Sequence, residues 1–352
     1  MAAPARIPVI DLAGAAGSAT DREAVARQLV DAAVEHGFVY IRNTGRDIPV
    51  PSVDEAFAIS RKLFALPAAE KEPSRLGTNN RGWVAERVET LDPKNQKVGD
   101  AKEAFNFGEF LNGRAQQPVP AALSDDEPRL AAFFDRCFNM CLTLNDLLGI
   151  GLEVDPPDFF TAAPRRPAGA TDNTLRLLYH PPRQANDPEA VRAGAHSDYG
   201  SMTLLFRLAG QAGLEISRQP DVWEPVPVTP AGTETDAAPP ILVNIGDLLA
   251  YWTGGLLRST VHRVALPVAS ESESESESES ESASASPRYS IAFFCHPARA
   301  SSLVPVPSER VARAVAAAQS QNTVSDNCIA DDVLTADDHL RMRLRATYRG
   351  LY

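Results

Sequence analysis

The sequence predicts a mainly β protein with flanking helices, built on a double-sheet jelly-roll core. Three observations predict it. After Asn173 the chain turns into short strands separated by turn residues, at Leu175–Tyr179, Met202–Phe206, Gly213–Ile216, Val222–Val228, Ile241–Ile245, Thr260–Ala265 and Tyr289–Cys295, as such a roll requires. Before Asn173 the dominant patterns are helical. And the residues able to hold a metal, His196, Asp198 and His262, all fall on or beside those strands, where inward faces converge.

The N-terminal region, residues 1–95, opens with a short strand at Ile7–Leu12 and an amphipathic helix from about Thr20 or Asp21 to Glu35. A β-branched and aromatic strand follows at Gly37–Ile41, then a helix over Ser52–Leu66 that Pro67 ends. Residues 77–117, rich in Gly, Asn, Pro and charge, predict strands and long loops. Pro128–Leu148 carries Leu130, Phe133, Phe134, Cys137, Phe138, Cys141 and Leu144 at spacings of three and four, a helix facing a core. The catalytic core is expected over 96–307. Within it 270–286, almost wholly Ser, Glu and Ala, has nothing larger than alanine to bury and predicts a solvated loop. The tail, 308–352, predicts helices at Glu309–Gln319 and Ala336–Tyr348, packed on the outside of the barrel.

Composition narrows the function. At 352 residues and 44% hydrophobic content one large core is expected, and no apolar run approaches the roughly 20 residues of a membrane span. The N-terminus lacks a secretory pattern, so the expected location is cytoplasmic. The net charge of −12 overstates the acidity, because six glutamates sit in the Ser-Glu tract and the rest of the chain carries −6. Without a basic patch, nucleic acid is not an expected partner. The four cysteines, Cys137, Cys141, Cys295 and Cys328, show no Cys-x-x-Cys spacing and are expected as thiols rather than a disulfide or zinc site.

The chemistry lies in five residues. His196 and Asp198, one residue apart, project from the same face of an extended strand. His262 alternates with valines on a later strand that faces a core. Two imidazoles and one carboxylate form the set that holds non-haem Fe(II) and leaves positions open for chemistry. Arg288 and Ser290 share one face of a further strand. An arginine aimed into a barrel interior is costly unless it meets an anion, and this pair can grip a carboxylate. Taken singly, each has a plain structural explanation: a surface turn for the pair, a hydrogen-bonded core histidine, an ion pair for the arginine. All five in this order and parity favour a site. Phe105, Phe107, Leu204, Phe294 and Trp83 could line an apolar pocket, although strand aromatics are more often core.

Ile7-Pro8-Val9-Ile10-Asp11-Leu12, His36-Gly37-Phe38-Val39-Tyr40, Lys62-Leu63-Phe64-Ala65-Leu66-Pro67, Asn80-Arg81-Gly82-Trp83, Lys102-Glu103-Ala104-Phe105 and Asn244-Ile245-Gly246-Asp247 together resemble, nearly end to end, the Fe(II)/2-oxoglutarate-dependent oxygenases of the isopenicillin N synthase-like superfamily. The resemblance implies a double-stranded β-helix core, iron ligands at His196, Asp198 and His262, and Arg288 and Ser290 on the distal carboxylate of 2-oxoglutarate. It also implies O2 as partner, ascorbate as an optional stimulant, and a small organic molecule, a secondary metabolite, that is hydroxylated, desaturated or cyclised with release of succinate and CO2. Two features depart from the family. His180 stands where many members have a tyrosine before the proline. The 26 residues from His262 to Arg288 exceed the usual spacing, and the Ser-Glu tract accounts for the excess. The alternatives are a non-haem iron oxidase of the same fold that does not use 2-oxoglutarate, a jelly-roll metal-binding protein without turnover, and a zinc hydrolase. Peptide or flavonoid-like substrates also remain open.

Overall fold

Two β-sheets face each other, and the long helices pack on the larger. The computed structural model describes residues 3–164, 171–182, 192–265, 287–320 and 334–347. The chain begins with β1 (Val9–Ile10), α1 (Ala19–Glu35), β2 (Phe38–Ile41), α2 (Val50–Phe64) and the short α3 (Ala68–Lys71). Then come β3 (Gly82–Val84), β4 (Glu103–Phe107), the hairpin β5 (Phe110–Leu111) and β6 (Arg114–Ala115), α4 (Glu127–Gly151) and α5 (Phe159–Ala162). The roll itself contains β7 (Thr174–His180), β8 (Ala193–His196), β9 (Met202–Arg207), β10 (Leu214–Gln219), β11 (Val222–Pro225), β12 (Ile241–Ile245), α6 (Asp247–Trp252), β13 (Val261–Val264) and β14 (Arg288–Cys295). The tail supplies α7 (Glu309–Ser320) and α8 (Ala336–Thr347).

The large sheet runs β1-β2-β12-β9-β14-β7-β4-β3 and the small one β11-β10-β13-β8. In a strand successive side chains point to opposite faces. Val39, Ile41, Val243 and Leu204 accordingly join the main core, with Leu29, Leu63, Phe133 and Leu144 from α1, α2 and α4. Their neighbours Phe38, Tyr40 and Leu242 face the other way and pack with Leu214, Ile216 and Val264 of the small sheet. Both faces of β2 and β12 are therefore buried, which is why β2 reads as an apolar run and β12 as one broken only by Asn244.

Helix ends follow local chemistry. Helix α1 starts before the expected Thr20, because Ser18 and Asp21 form a capping box, Ser18 Oγ accepting from the Asp21 N–H and the Asp21 carboxylate from the Ser18 N–H. Helix α2 likewise begins at Val50, since Pro51 is tolerated in a first turn. The opening segment contributes only a two-residue strand before Asp11 caps a 3-10 turn at Leu12–Ala16. The Ser-Glu tract and Cys328 lie outside the described residues; Cys137, Cys141 and Cys295 are buried thiols.

The tail differs from expectation. Helix α7 packs outside, with Val311 in the main core. Helix α8 instead places Leu340 and Leu344 against the cavity between the sheets. An amphipathic pattern shows that a face is buried, not against what.

Gly37 closes α1 with φ +68°, and a Cβ there would stand 2.3 Å from the Arg258 carbonyl oxygen. Gly37→Ala combines left-handed strain with a backbone clash, so it is expected to destabilise the protein by about 2–3 kcal/mol. A urea midpoint unchanged from wild type would contradict this.

Candidate metal and 2-oxoglutarate site

A cavity of about 150 Å³ lies between the sheets. The small sheet brings two imidazoles together: His196, the last residue of β8, is the register partner of His262 on β13. Asp198 is not on the strand, as the spacing had suggested, but in the turn that follows. The turn still returns its carboxylate to the histidines. Asp198 Oδ1 is 3.9 Å from His196 Nε2 and 3.8 Å from His262 Nε2.

Both rings are oriented for ligation. His196 Nδ1 lies 2.7 Å from the Gly194 carbonyl oxygen and His262 Nδ1 3.2 Å from that of Thr260. A carbonyl only accepts, so each Nδ1 is a donor, and in a neutral ring this tautomer leaves the Nε2 lone pair free for a metal. Burial, then the neighbouring His262, pulls the His196 pKa down to about 3, so this imidazole is neutral. Burial opposes charge on Asp198, but His262, His196, Asn244 and Thr203 outweigh it and hold the carboxyl below its ordinary value. All three ligand atoms lie within 4.8 Å of one another. Separations of this size let three donor atoms share one transition-metal ion. The donor set fits one divalent ion.

The turn is fixed from behind. Asn244 Nδ2 and Thr203 Oγ1 donate to Asp198 Oδ2 at 2.7 and 2.6 Å, leaving Oδ1 toward the histidines. At the start of α6 the N–H groups of Gly246, Asp247 and Leu248 donate to the carbonyls of Ser201, Asp198 and Gly200. A Cβ on Gly246 would stand 2.3 Å from the Gly200 oxygen, so the Asn244-Ile245-Gly246-Asp247 segment is the clamp on the metal turn.

The cavity floor is one face of the β7–β14 pair. Arg288 is the register partner of His180, Ser290 of Leu178 and Ala292 of Arg176, and all six line the cavity. Arg288 is 3% exposed; its Nε donates to the Ala212 oxygen and Nη1 lies 3.4 Å from Ser290 Oγ. Among the described residues no carboxylate pairs with it. Burial, then Arg207 and Arg192, pulls its pKa down to about 9, so at neutral pH it stays a cation beside other cations. The ion-pair explanation available from sequence does not hold within the described residues.

Sequence reasoning missed other groups here. His180 is buried and among the described residues neither ring nitrogen has a hydrogen-bond partner; burial, then Arg288, Lys102 and Arg192, pushes its pKa well below the imidazole range. Glu89 meets Arg176 at 2.6 Å and Lys102 at 2.8 Å, while Lys102 meets Asp100 at 2.6 Å. Glu89 and Asp100 come from an irregular stretch, with no periodicity to flag them. Of the five residues considered for the pocket, only Phe294 lines it; Phe105, Phe107, Leu204 and Trp83 are core.

Fold and site together define a jelly-roll protein with a two-histidine, one-carboxylate centre and a buried cation in the same cavity. Residues 171–297 match the model of the 2OG-Fe(II) oxygenase superfamily, and residues 7–127 that of the non-haem dioxygenase in morphine synthesis N-terminal region. The UPF0676 protein C1494.01 of Schizosaccharomyces pombe is 32% identical over 87% of each chain. The 2-oxoglutarate-dependent dioxygenase htyE of Aspergillus rugulosus is 31% identical, covering 80% of this chain and 84% of its own. Among solved structures, a full-length Neurospora crassa protein in complex with alpha-KG superposes with a TM-score of 0.74 at 27% identity, covering 96% of this chain and 95% of that one. The chain belongs to the 2OG-Fe(II) oxygenase superfamily. It is an Fe(II)- and 2-oxoglutarate-dependent dioxygenase.

Thr203→Val and Asn244→Ala each remove one donor to Asp198 without touching a ligand atom. Each is expected to weaken Fe(II) or Co(II) affinity about 10- to 100-fold in a metal titration, with the fold retained. Wild-type affinity in both would show that the carboxylate needs no such support.

Proposed function

We propose that His196, Asp198 and His262 hold the Fe(II), that Arg288 and Ser290 hold the distal carboxylate of 2-oxoglutarate, and that the enzyme oxidises a small organic molecule in the space beside them. Bound Fe(II) and 2-oxoglutarate supply O2-dependent oxidation of a substrate C–H bond, with succinate and CO2 released. One observation carries the residue assignment: Arg288 is buried, lacks a carboxylate partner among the described residues, and faces the same cavity as the three ligand atoms. A buried guanidinium requires an anion, and the distal carboxylate is that anion.

The protein's part is placement. Arg288 and Ser290 form charge-assisted hydrogen bonds that fix one end of 2-oxoglutarate, and His180 offers a further ring nitrogen at that end. Leu178, Ala292 and Leu205 provide dry walls between this anchor and the far end of the cavity. The carbonyls of Gly194 and Thr260 keep the imidazole lone pairs aimed inward.

A free small molecule, a secondary metabolite, is the substrate we propose. Structures of the Neurospora crassa relative hold thymine or 5-formyluracil together with alpha-KG, ligands of the size this reading requires. Hydroxylation is the default outcome; desaturation or ring closure depends on substrate geometry. Among the described residues no helix is long and apolar enough to cross a membrane. The buried free thiols suit a reducing compartment, and we place the enzyme in the cytoplasm.

Anaerobic titration of the Fe(II) protein with 2-oxoglutarate should develop the visible charge-transfer band of the chelate. Arg288→Ala should need at least about 30-fold more 2-oxoglutarate, the ratio that corresponds to ~2 kcal/mol. A wild-type band with an unshifted mutant titration would remove Arg288 from the site. Absence of a band with iron bound would turn the reading to an oxidase that does not use 2-oxoglutarate. Stoichiometric succinate then serves to screen substrates.

A further inference from the structure

The C-terminal helix α8 touches both the cavity and the turn that carries Asp198. Its start is fixed: Thr335 Oγ1 accepts from the Asp338 N–H while the Asp338 carboxylate accepts from the Thr335 N–H and hydroxyl. The Ala336 N–H donates to the Ser301 oxygen, tying the helix to the segment after β14. Leu340 and Leu344, one turn apart and so on one face, pack with Leu76, Val84 and Ala104 and form part of the cavity wall.

Arg343 leaves that apolar stripe in another direction. Its Nη2 is 2.6 Å from the Asp247 carboxylate and 3.4 Å from Ser197 Oγ, and its guanidinium lies 5.0 Å from the centre of the Tyr199 ring. Ser197 and Tyr199 are the residues on either side of Asp198. Asp247 is the α6 residue whose N–H holds the Asp198 carbonyl, and its carboxylate also accepts from Ser197 Oγ and Ser259 Oγ. One guanidinium thus reaches both neighbours of the metal carboxylate and the clamp behind it. The Arg343 side chain is 42% exposed, and ion pairs of that exposure add little to global stability. What three convergent contacts do supply is geometry.

We propose that Arg343 is a positioning residue that latches α8 over the cavity and holds the Ser197–Tyr199 turn in place, so that closure of the substrate space by the C-terminal helix and retention of the metal are one coupled event. This rests on the reading of His196, Asp198 and His262 as metal ligands. It makes Leu340 and Leu344 part of the substrate-facing wall, although they lie far along the chain from the ligands.

The test uses the full-length chain loaded with Co(II). Two quantities are read, the visible d–d spectrum and the rate at which excess 1,10-phenanthroline removes the metal. Arg343→Ala is expected to alter the spectrum and speed removal about tenfold or more, with its thermal midpoint within a few degrees of wild type. Arg343→Lys should restore most of the difference. Met342→Ala, half exposed on the same helix, should behave as wild type. Should Arg343→Ala not fold, Asp247→Asn breaks the same ion pair from the α6 side and carries the same expectation. An unchanged spectrum and rate would overturn the proposal, as would equal acceleration by Met342→Ala, which would reduce the effect to helix stability. Failure of the wild type to bind Co(II) would instead overturn the metal-ligand reading beneath it.

Discussion

A desolvated carboxylate held beside two imidazoles is the constraint on which the rest of the structure depends. Burial by itself pushes the Asp198 carboxyl toward its protonated form, which is a poor ligand. Its two oxygens are therefore divided in role. Oδ2 is occupied by Asn244 and Thr203, and Oδ1 is left toward the histidines. Asn244 comes from β12 and Thr203 from β9, adjacent central strands of the large sheet, paired at this very register. The histidines come from the small sheet. The proposed metal position is thus where the two sheets are joined by polar contact, and a shift of either by one residue would turn the relevant side chains to the opposite face.

The cavity divides its charge unevenly. Toward one end stands Arg288, with Arg207 and Arg192 adding to the positive field and no acid paired to it among the described residues. In the same cavity Arg176, Glu89 and Lys102 line the wall, and with Asp100 behind Lys102 they bring two positive and two negative groups into direct contact. Breaking such a buried pair is costly, about 3–5 kcal/mol, because the remaining charge has no partner. Nothing in that network needs an external ion. The two environments separate a buried guanidinium with no acid paired to it among the described residues from a network already balanced, and with Arg288 as the proposed anchor this polarity would orient a dicarboxylic cosubstrate.

Much of this was legible in the sequence, for reasons that also explain the failures. Helices α1, α2 and α4 announce themselves by apolar residues at spacings of three and four, and β14 by the alternation that puts Arg288 and Ser290 on one face. Local patterns report local geometry. The turn bearing Asp198 breaks the strand after His196, yet a spacing of one residue suits a strand and a tight turn equally, so the convergence of the three candidate ligands was readable while the backbone that brings them together was not. Helix α6 spans only six residues, too few for periodicity to register. Glu89 and Asp100 acquire meaning only when an irregular segment folds back to Lys102 and Arg176. The tail shows the limit most clearly: Leu340 and Leu344 declare a buried face, but the Arg343 contact with Ser197 spans 146 positions and leaves no trace in either segment.

That long contact bears on how such a site is built at all. Both strands that carry the histidines are short, four residues each, and the turn between β8 and β9 has few apolar side chains to fix it by packing. Backbone hydrogen bonds from α6 position its carbonyls, but hydrogen bonds between main-chain groups at a surface are open to competition from water. Covering them with α8 excludes that water, and placing a cation between Asp247, Ser197 and Tyr199 gives the covering helix a defined seat rather than a greasy one. A wall attached through the metal turn also couples two requirements of the chemistry. The space that confines a reactive centre is complete only when the centre is correctly held, since the same guanidinium contributes to both.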